Sequence, residues 1–298
     1  MTVATGNFPE LLWPGINRIF GQSYKYYQPV YPSVFSVEKS NKTFEKDQGV
    51  TGLPLAAEKP QGEEITYADP VQGFAKEFVH AVYALGTSVT MEMWDDEQYN
   101  YIRRLPRFLA RSMRYTEETT HSSIFNNAFS SETTADALSI INSAHVNAAT
   151  GSTQRNQPST NSDLSQTALE QAFIDIRDWT DDQDILMMCK PTMLVVPNEL
   201  MWTAQKILRT AKEPFSADNT VNPMDQIIPY KVWDYLTDPD AWYLLTDCKD
   251  GGLISYTRKS TAFDRDNEFD TKNLKFSVLR RWSAGCSNWR AMYASPGA

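Results

Sequence analysis

The sequence predicts a mixed α+β protein, with helices and strands in irregular order and no internal repeat. Three observations predict it. From Asp95 to Phe129, "DDEQYNYIRRLPRFLARSMRYTEETTHSSIFNNAF" places Ile102, Leu105, Leu109 and Met113 at helical spacing along one face. Short apolar runs such as "TMLVVP" and "AWYLLTD" have the length of buried strands rather than helices. The stretch "TGLPLAAEKPQGEEITYADP" holds too much glycine and proline for a long helix.

Taken in order, residues 1–35 read as an extended arm. "QSYKYYQPVYPSVF" sets Tyr24, Tyr26, Tyr27 and Tyr31 among prolines, which resist helix and strand interiors. Tyrosine needs an apolar surface for its ring and a partner for its hydroxyl, on this chain's own domain or on a neighbouring subunit. Residues 36–93 read as extended and hairpin-like. In "KEFVHAVYALGTSVTMEM" two strands joined near Gly86 are expected. A long two-stranded excursion is marginal alone in water and needs an outside support. The helix that follows opens on Asp95, Asp96 and Glu97, where the helix dipole favours negative charge. Pro106 should kink it or start a second segment. Arg103, Arg104, Arg107, Arg111 and Arg114 lie along it. They fit a solvated or salt-bridged face, or contact with phosphate or an acidic neighbour through arginine's planar fork.

Beyond it, "SETTADALSIINSAHVNAATGSTQRNQPSTNSDLS" divides in two. Its first half, through His145, is expected as an ordered strand or turn, and "NAATGSTQRNQPSTNSD" as a flexible loop. Ser165 then caps a helix whose Leu169, Ala172, Phe173, Ile176 and Trp179 repeat at helical spacing. After the "TMLVVP" strand, Asn198 is the expected cap of a helix with Leu200, Ala204, Ile207 and Leu208 on its apolar side. "AWYLLTD" and "GGLISYTR" follow as strands with Gly251 and Gly252 between them, and "NLKFSVLRRWSAGCSNWRAMYAS" is strand-like to the end.

A length of 298 residues is about two domain-sized units, or one unit with long insertions. Hydrophobic residues at 41% suffice for a core and exclude global disorder. The net charge of −9 argues against nonspecific adhesion to nucleic acid or acidic membranes, which neutralises phosphates with clustered Lys and Arg. An acidic wall is still compatible with enclosing DNA that slides freely. Cys189, Cys248 and Cys286 are odd in number and far apart, so no disulfide framework and a reducing cytoplasm are expected. "MTVATGNFPELLWPG" lacks the pattern of a signal peptide, and no apolar run is long enough to span a bilayer.

Chemistry-bearing motifs are sparse. GxSxG, the P-loop pattern and GxGxxG are absent. His80, His121 and His145 fall in separate segments without HExxH or paired cysteines, so no zinc site is expected. In "DRDNEFD", Asp264, Asp266 and Glu268 alternate as in a calcium loop. Phe269 occupies the glycine position and Lys275 the position of the bidentate Glu, so a solvated loop is the expectation. His145 with Ser143 and Asp136 is at most a forced triad, because triads assemble in space. Asp181, Asp182 and Asp184 after Trp179 read as a helix end. No catalytic, cofactor or metal residue is assigned.

The stretch "YALGTSVTMEMWDDEQYNYIRRLPRFLARSMRYTEETTHSSIFNNAFSS" resembles the strand-to-long-helix junction of tailed-bacteriophage major capsid proteins, in the branch near the Mu-like major head subunit. Tyr83, Gly86, Thr90, Glu92, Asp96, Tyr99, Ala110, Ser112, Glu118, Asn127 and Phe129 fall where that pattern has them. Asp136 through His145 is similar to a second family stretch, in which an Asp-Gly pair precedes two large apolar residues and a histidine. Ile140 and Ile141 fill the apolar places, but Ala137 stands in place of the glycine, which loosens the turn prediction. "WRAMYASPG" resembles the family's C-terminal strand. The resemblance covers roughly residues 80–298.

It implies a Hong Kong 97-type fold: an N-terminal arm (1–35), an extended loop lying on a neighbouring subunit (36–92), a peripheral domain with a long spine helix (93–184), an axial domain (185–270) and returning C-terminal strands (271–298). The implied function is structural rather than enzymatic. Hexamers and pentamers would tile an icosahedral shell around double-stranded DNA, bound without sequence specificity. Portal, scaffolding and decoration or cement proteins are implied partners. The implied location is the virion, assembled in the host bacterial cytoplasm. No long N-terminal extension of the kind some relatives carry as a scaffold is seen, so a separate scaffold or a matured chain is expected. Nothing marks a Lys–Asn crosslink, although Lys42, Lys46 and Lys59 lie in the loop region. The candidate subunit interface is Tyr24, Tyr26, Tyr27, Tyr31, Arg103, Arg104, Arg107, Arg111 and Arg114. An encapsulin-like compartment with enzyme cargo, and an unrecognised enzyme, are the alternatives.

Overall fold

The computed structural model describes residues 9–90, 92–93, 96, 101–212, 221–248, 251–268, 270–271 and 273–298. In chain order the elements are α1 (Pro9–Tyr26), β1 (Ser36–Lys39), β2 (Phe44–Val50), β3 (Gln72–Val79), β4 (Ala81–Val89) and α2 (Leu105–Asn126). Then come β5 (His145–Val146), β6 (Thr153–Gln154), α3 (Gln166–Arg177), β7 (Pro191–Val196), α4 (Met201–Leu208) and β8 (Tyr230–Val232). The chain finishes with β9 (Trp242–Thr246), β10 (Leu253–Asn267), β11 (Leu274–Cys286) and β12 (Met292–Ser295). They fall into two compact units. One comprises Met1–Phe44, Val79–His121 and Ser255–Ala284, the other Glu45–Phe78, Ser122–Ile254 and Gly285–Ala298.

The first unit is built on a four-stranded sheet, β1-β10-β11-β4. Ile102, Leu105, Leu109 and Met113 enter its core together with Val89, Phe263, Phe276 and Trp282. The expected apolar face of the long helix is therefore the buried one. Pro106 is its second residue, where a missing N–H costs nothing, so the proline starts the segment. The acidic opening at Asp95 and Glu97 lies outside the described residues; Asp96 sits in a turn and donates its N–H to the Glu92 carbonyl.

The first unit departs from the sequence expectations at three places. The arm is helical from Pro9 to Tyr26, not extended. Ile16, Phe20 and Tyr24 recur every fourth residue, and Ile16 and Phe20 are buried in the core. Burial at about 1.5–3 kcal/mol per large side chain offsets a proline cost of about 3 kcal/mol. The strands of "KEFVHAVYALGTSVTMEM" break at His80, and Gly86 lies inside β4 opposite Ser277. A Cβ at Gly86 would stand 3.3 Å from the Phe276 carbonyl oxygen, so the glycine permits close strand approach rather than a turn. Asp264 and Asp266 belong to β10 instead of a loop, and Glu268 pairs with Lys275 at 3.0 Å.

The second unit carries the sheet β12-β9-β7-β8 and two short pairs, β2-β3 and β5-β6. Its core joins Leu169, Ala172 and Ile176 of α3 to Ala204, Ile207 and Leu208 of α4 and to the inner faces of β7 and β9. Ser165 caps α3, its side chain accepting from the Ala168 N–H as expected. Asn198 does not cap α4. The flanking residue is Leu200, with no side-chain cap, and Asn198 contributes only its carbonyl, to the Met201 N–H.

Residues 147–163 are not a loose loop. Asn156, fully buried, donates to the Ile140, Trp289 and Met292 carbonyls and accepts from the Asn142 N–H. Asn147 is tied to Ser152, Asp181, Asp184, Gln154 and Arg290. Buried polar groups must find such partners, and here they order a chain whose composition alone looks flexible. The cysteine expectation is also overturned. Cys189 and Cys248 form a disulfide across 59 residues, because antiparallel β7 and β9 bring the residues before one and after the other side by side. Cys286 is the buried free thiol.

Candidate assembly surface

The buried row of α2 continues beyond Met113 through Glu117, His121 and Phe125, all essentially without solvent exposure. Charged residues on an apolar row need partners, and Glu117 has several. Arg280 reaches it at 2.6 Å, Arg114 at 2.7 Å, and the Tyr24 hydroxyl donates to it. Burial lowers and Glu117 raises the Arg280 pKa, and the raising effect prevails. Burial, with Glu117 adding to it, pushes the Tyr24 phenol up to about 12. Glu118 accepts from the Val30 N–H at 2.6 Å and from the Tyr31 N–H at 3.3 Å. His121 stacks on Tyr31 with ring centroids 3.9 Å apart and donates Nδ1–H to the Glu117 carbonyl. Burial holds its pKa down at about 4, so it accepts as a neutral ring from Ser255 at 2.8 Å.

This cluster sorts the nine expected interface residues. Tyr24, Tyr31 and Arg114 are engaged within the first unit: Arg280 donates to the Tyr31 hydroxyl, and Arg114 lies 3.5 Å from the Tyr24 ring centroid. Tyr26 is 80% exposed, and Arg103, Arg104, Arg107 and Arg111 face solvent. Among the described residues no carboxylate ion-pairs with those four arginines. They share their surface with Phe108, 54% exposed, and with Tyr115. Arg111 lies over the Tyr115 ring, Tyr27 meets that ring edge-on at 6.1 Å, and Tyr26 packs edge-on against Tyr27. The arm tyrosines and the helix arginines thus form one cationic–aromatic stripe. Sequence reasoning missed Glu117, Glu118, His121 and Arg280. Two carboxylates and a histidine continuing the Leu105–Leu109–Met113 row were the available signal.

A second exposed feature belongs to the other unit. The β2-β3 ribbon is closed by Thr51 and Val71, which exchange backbone and hydroxyl hydrogen bonds at 2.9–3.0 Å. Beyond that point residues 52–70 are all exposed, turning at Pro60–Glu63 with Gly62 at φ +91°. Leu53, Leu55, Ile65 and Tyr67 stand in solvent among Glu58, Glu63, Glu64 and Asp69. The base of the ribbon is fixed by Lys76, which pairs with Glu132 at 3.1 Å, and by Asp47, which accepts from Ser287.

His145 is fully buried, its Nδ1 2.6 Å from Asp136 and its Nε2 3.2 Å from the Ile140 carbonyl. Its ring stacks on Trp289. Burial raises the Asp136 pKa, but hydrogen bonds from His145 and Thr134 bring it below the ordinary carboxylate range. A cleft of about 380 Å³ opens beside it, lined by Asp47, Phe74, Asp136, Asp182, Trp289 and Arg290 among others. Arg290 engages Asp182 at 3.4 Å. Both His145 nitrogens are committed to Asp136 and the Ile140 carbonyl and Ser143 is exposed, so the geometry holds a histidine–carboxylate hydrogen bond with no Ser143 hydroxyl placed against the ring.

A family model described as phage capsid protein matches residues 75–295. A comparison with curated proteins finds no match. Among solved structures, the capsid of cyanophage P-SCSP1u aligns at TM-score 0.61 and 7% identity, covering 91% of this chain and 88% of that one. The capsid of bacteriophage JBD30 decorated with minor capsid protein trimers aligns at 0.56 and 12% identity, covering 70% and 91%. The virus-like particle from Pyrococcus furiosus aligns at 0.55 and 7% identity, covering 94% and 97%. These likenesses show a common fold.

Proposed function

Because the chain belongs to the phage capsid protein family, we propose that it is the major capsid subunit of a tailed bacteriophage, assembling as hexamers and pentamers into an icosahedral shell around double-stranded DNA. The observation that carries this reading is the family match over residues 75–295 on a fold of Hong Kong 97 type. The narrower kinship with the Mu-like head subunit rests on the stretch from Tyr83 to Ser131 alone. Closed symmetry repeats each contact, so modest contacts accumulate into a stable container. Arms and long loops let one chain reach obligate-sized interfaces of ~2,000 Å² or more.

Within the shell, residues 1–35 serve as the arm, 36–92 as the extended loop and 93–184 as the peripheral domain. Residues 185–270 are the axial domain and 271–298 its returning strands. These are assembly regions and need not coincide with the compact folding units. The exposed members of the arm–helix stripe, Tyr26, Arg103, Arg104, Arg107 and Arg111, are the side chains we assign to subunit contact. Portal and scaffolding proteins are the expected partners, with decoration proteins as in JBD30. Assembly takes place in the host cytoplasm, the Cys189–Cys248 pair closing once the particle meets an oxidising medium. Among the described residues no helix is long and apolar enough to cross a membrane.

The test is production with the scaffolding partner followed by electron microscopy. Closed shells are expected; a compact monomer with no shells contradicts the reading. A protein compartment built on the same fold, which the virus-like particle from Pyrococcus furiosus shares, is the alternative. Shells carrying a defined protein cargo and packaging no DNA identify that case.

A further inference from the structure

We propose that Cys189, Asp247 and Cys248 hold a zinc ion while the two cysteines are reduced, and give it up when they close into the disulfide. The inference goes beyond the capsid reading and does not depend on shells forming. Among the described residues, these three form the one group of metal-ligating side chains that converges, their sulfur and carboxylate oxygen atoms all lying within 4.8 Å of one another. Cys189 stands just before β7 and Asp247 and Cys248 just after β9, and the pairing of those strands sets Pro191 opposite Thr246. The junction is tied from both sides. The Asp247 N–H donates to the Lys190 carbonyl at 2.9 Å, and the Lys190 N–H donates to Asp247 Oδ1 at 2.7 Å. The carboxylate beside the sulfurs is thus anchored through one oxygen, as hydrogen bonds from outside a metal site anchor its ligands.

In a reducing cytoplasm the pair exists as thiols, and cysteines brought together there more often bind metal or react than staple a fold. Cys189 is buried in the core of the second unit, and Cys248 packs against that core. A bare thiolate in apolar surroundings is unfavourable, so the thiol keeps its proton. A divalent cation displaces the protons and takes up the thiolate charge. Zinc suits this set, being borderline-soft, four-coordinate and accepting of both thiolate and carboxylate ligands. Zn–S bonds of about 2.3 Å at a tetrahedral angle set two sulfurs about 3.8 Å apart. Cysteines whose Cα atoms lie 6.1 Å apart reach that spacing by side-chain rotation once the disulfide is open. Asp247 is exposed, so the fourth position faces solvent and is left to water.

The exchange balances with a small-molecule disulfide, such as oxidised glutathione, as the oxidant. One cysteine thiolate attacks it, forming a mixed disulfide and expelling one glutathione thiolate. The other cysteine thiolate attacks the mixed disulfide, closing Cys189–Cys248 and expelling the second. The protein sulfurs lose two electrons, the glutathione sulfurs gain them, and solvent protonates the released thiolates. Zinc leaves as Zn²⁺, its charge unchanged. One crosslink between the ends of β7 and β9 thereby replaces another.

The test titrates Zn²⁺ into the full chain reduced with a phosphine, which adds no competing thiol, and repeats the titration on the oxidised chain. The reduced chain should take up about one zinc and release about two protons. The oxidised chain and Asp247→Asn should each bind at least ~10-fold more weakly. Oxidised glutathione added to the loaded chain should release zinc to a chromogenic chelator in step with the loss of free thiols. Cys286→Ser should bind as the wild type does, because that thiol is buried apart from the pair. No uptake by the reduced chain overturns the proposal, as does equal binding by the reduced and oxidised chains. Unchanged affinity in Asp247→Asn overturns the three-ligand site. The reduced and oxidised chains share one sequence, so their comparison decides the matter even where a substituted chain fails to fold. Shell formation plays no part in these readings, so they stand or fall separately from the capsid reading.

Discussion

Ala137 has φ 64°, in the left-handed region where a Cβ is unwelcome, and it sits in the turn closed by the Ala137 N–H to the Thr134 carbonyl. The residue that made the turn hard to foresee is therefore itself strained. Left-handed backbone costs a non-glycine residue about 1–2 kcal/mol, and glycine returns part of that in unfolded-state entropy, about 0.5–1 kcal/mol. Ala137→Gly should stabilise the monomer by about 0.5–1 kcal/mol, raising Tm by about 1–3 °C; a lower Tm on calorimetry refutes the strain. His121 supplies a second prediction. Its folded pKa of about 4 lies below the unfolded 6.5, so its contribution is complete above pH 6.5 and is lost as pH falls through 4. Over that window unfolding takes up a proton, and stability drops by on the order of 3 kcal/mol. His121→Gln should flatten this part of the pH profile; an unchanged slope places the proton uptake elsewhere. Glu117 belongs to the same cluster. Glu117→Ala strands Arg280 and should cost about 3–5 kcal/mol in urea unfolding, since a buried charge loses its partner.

At the scale of elements, what could be read from the sequence follows from how local each cause is. The buried row of α2, the Ser165 cap and the β7 and β9 strands depend on spacing within a few residues, and they were legible. The arm was misread because its prolines outweighed the Ile16–Phe20–Tyr24 row, whose burial depends on distant Phe263. Residues 147–163 looked loose because two of the acceptors that order them, at Trp289 and Met292, lie far away in sequence. Of the assembly surface, the arginine run was visible, but which arginines and tyrosines stay exposed depends on Glu117 and Arg280, residues more than 160 apart in the chain. The disulfide escaped notice for the same reason: only the β7-β9 pairing brings Cys189 to Cys248. Closing a loop of that length constrains the unfolded chain, so Cys189→Ala with Cys248→Ala should lower stability by about 2–4 kcal/mol. Reductant should reproduce the loss in the wild type and leave the variant unmoved. Equal urea midpoints with and without reductant in the wild type contradict this.

For the whole molecule, the two units bury their own cores while the chain leaves an arginine stripe and a long acidic loop in solvent. Exposed Leu55, Ile65 and Tyr67 are a liability on a monomer and an asset on a subunit whose neighbours cover them. Contacts that join arginine to carboxylate weaken as salt screens them. The assembled fraction should therefore fall as ionic strength rises from about 0.05 to 0.5 M; a salt-independent yield points to apolar contacts alone. The central claim is that this chain encloses space by repeating itself. Electron microscopy of particles formed by the full chain with its scaffolding partner tests that most directly. Closed icosahedral shells with five- and six-fold clusters of this subunit are expected. A protein that remains a monodisperse compact monomer under those conditions contradicts it.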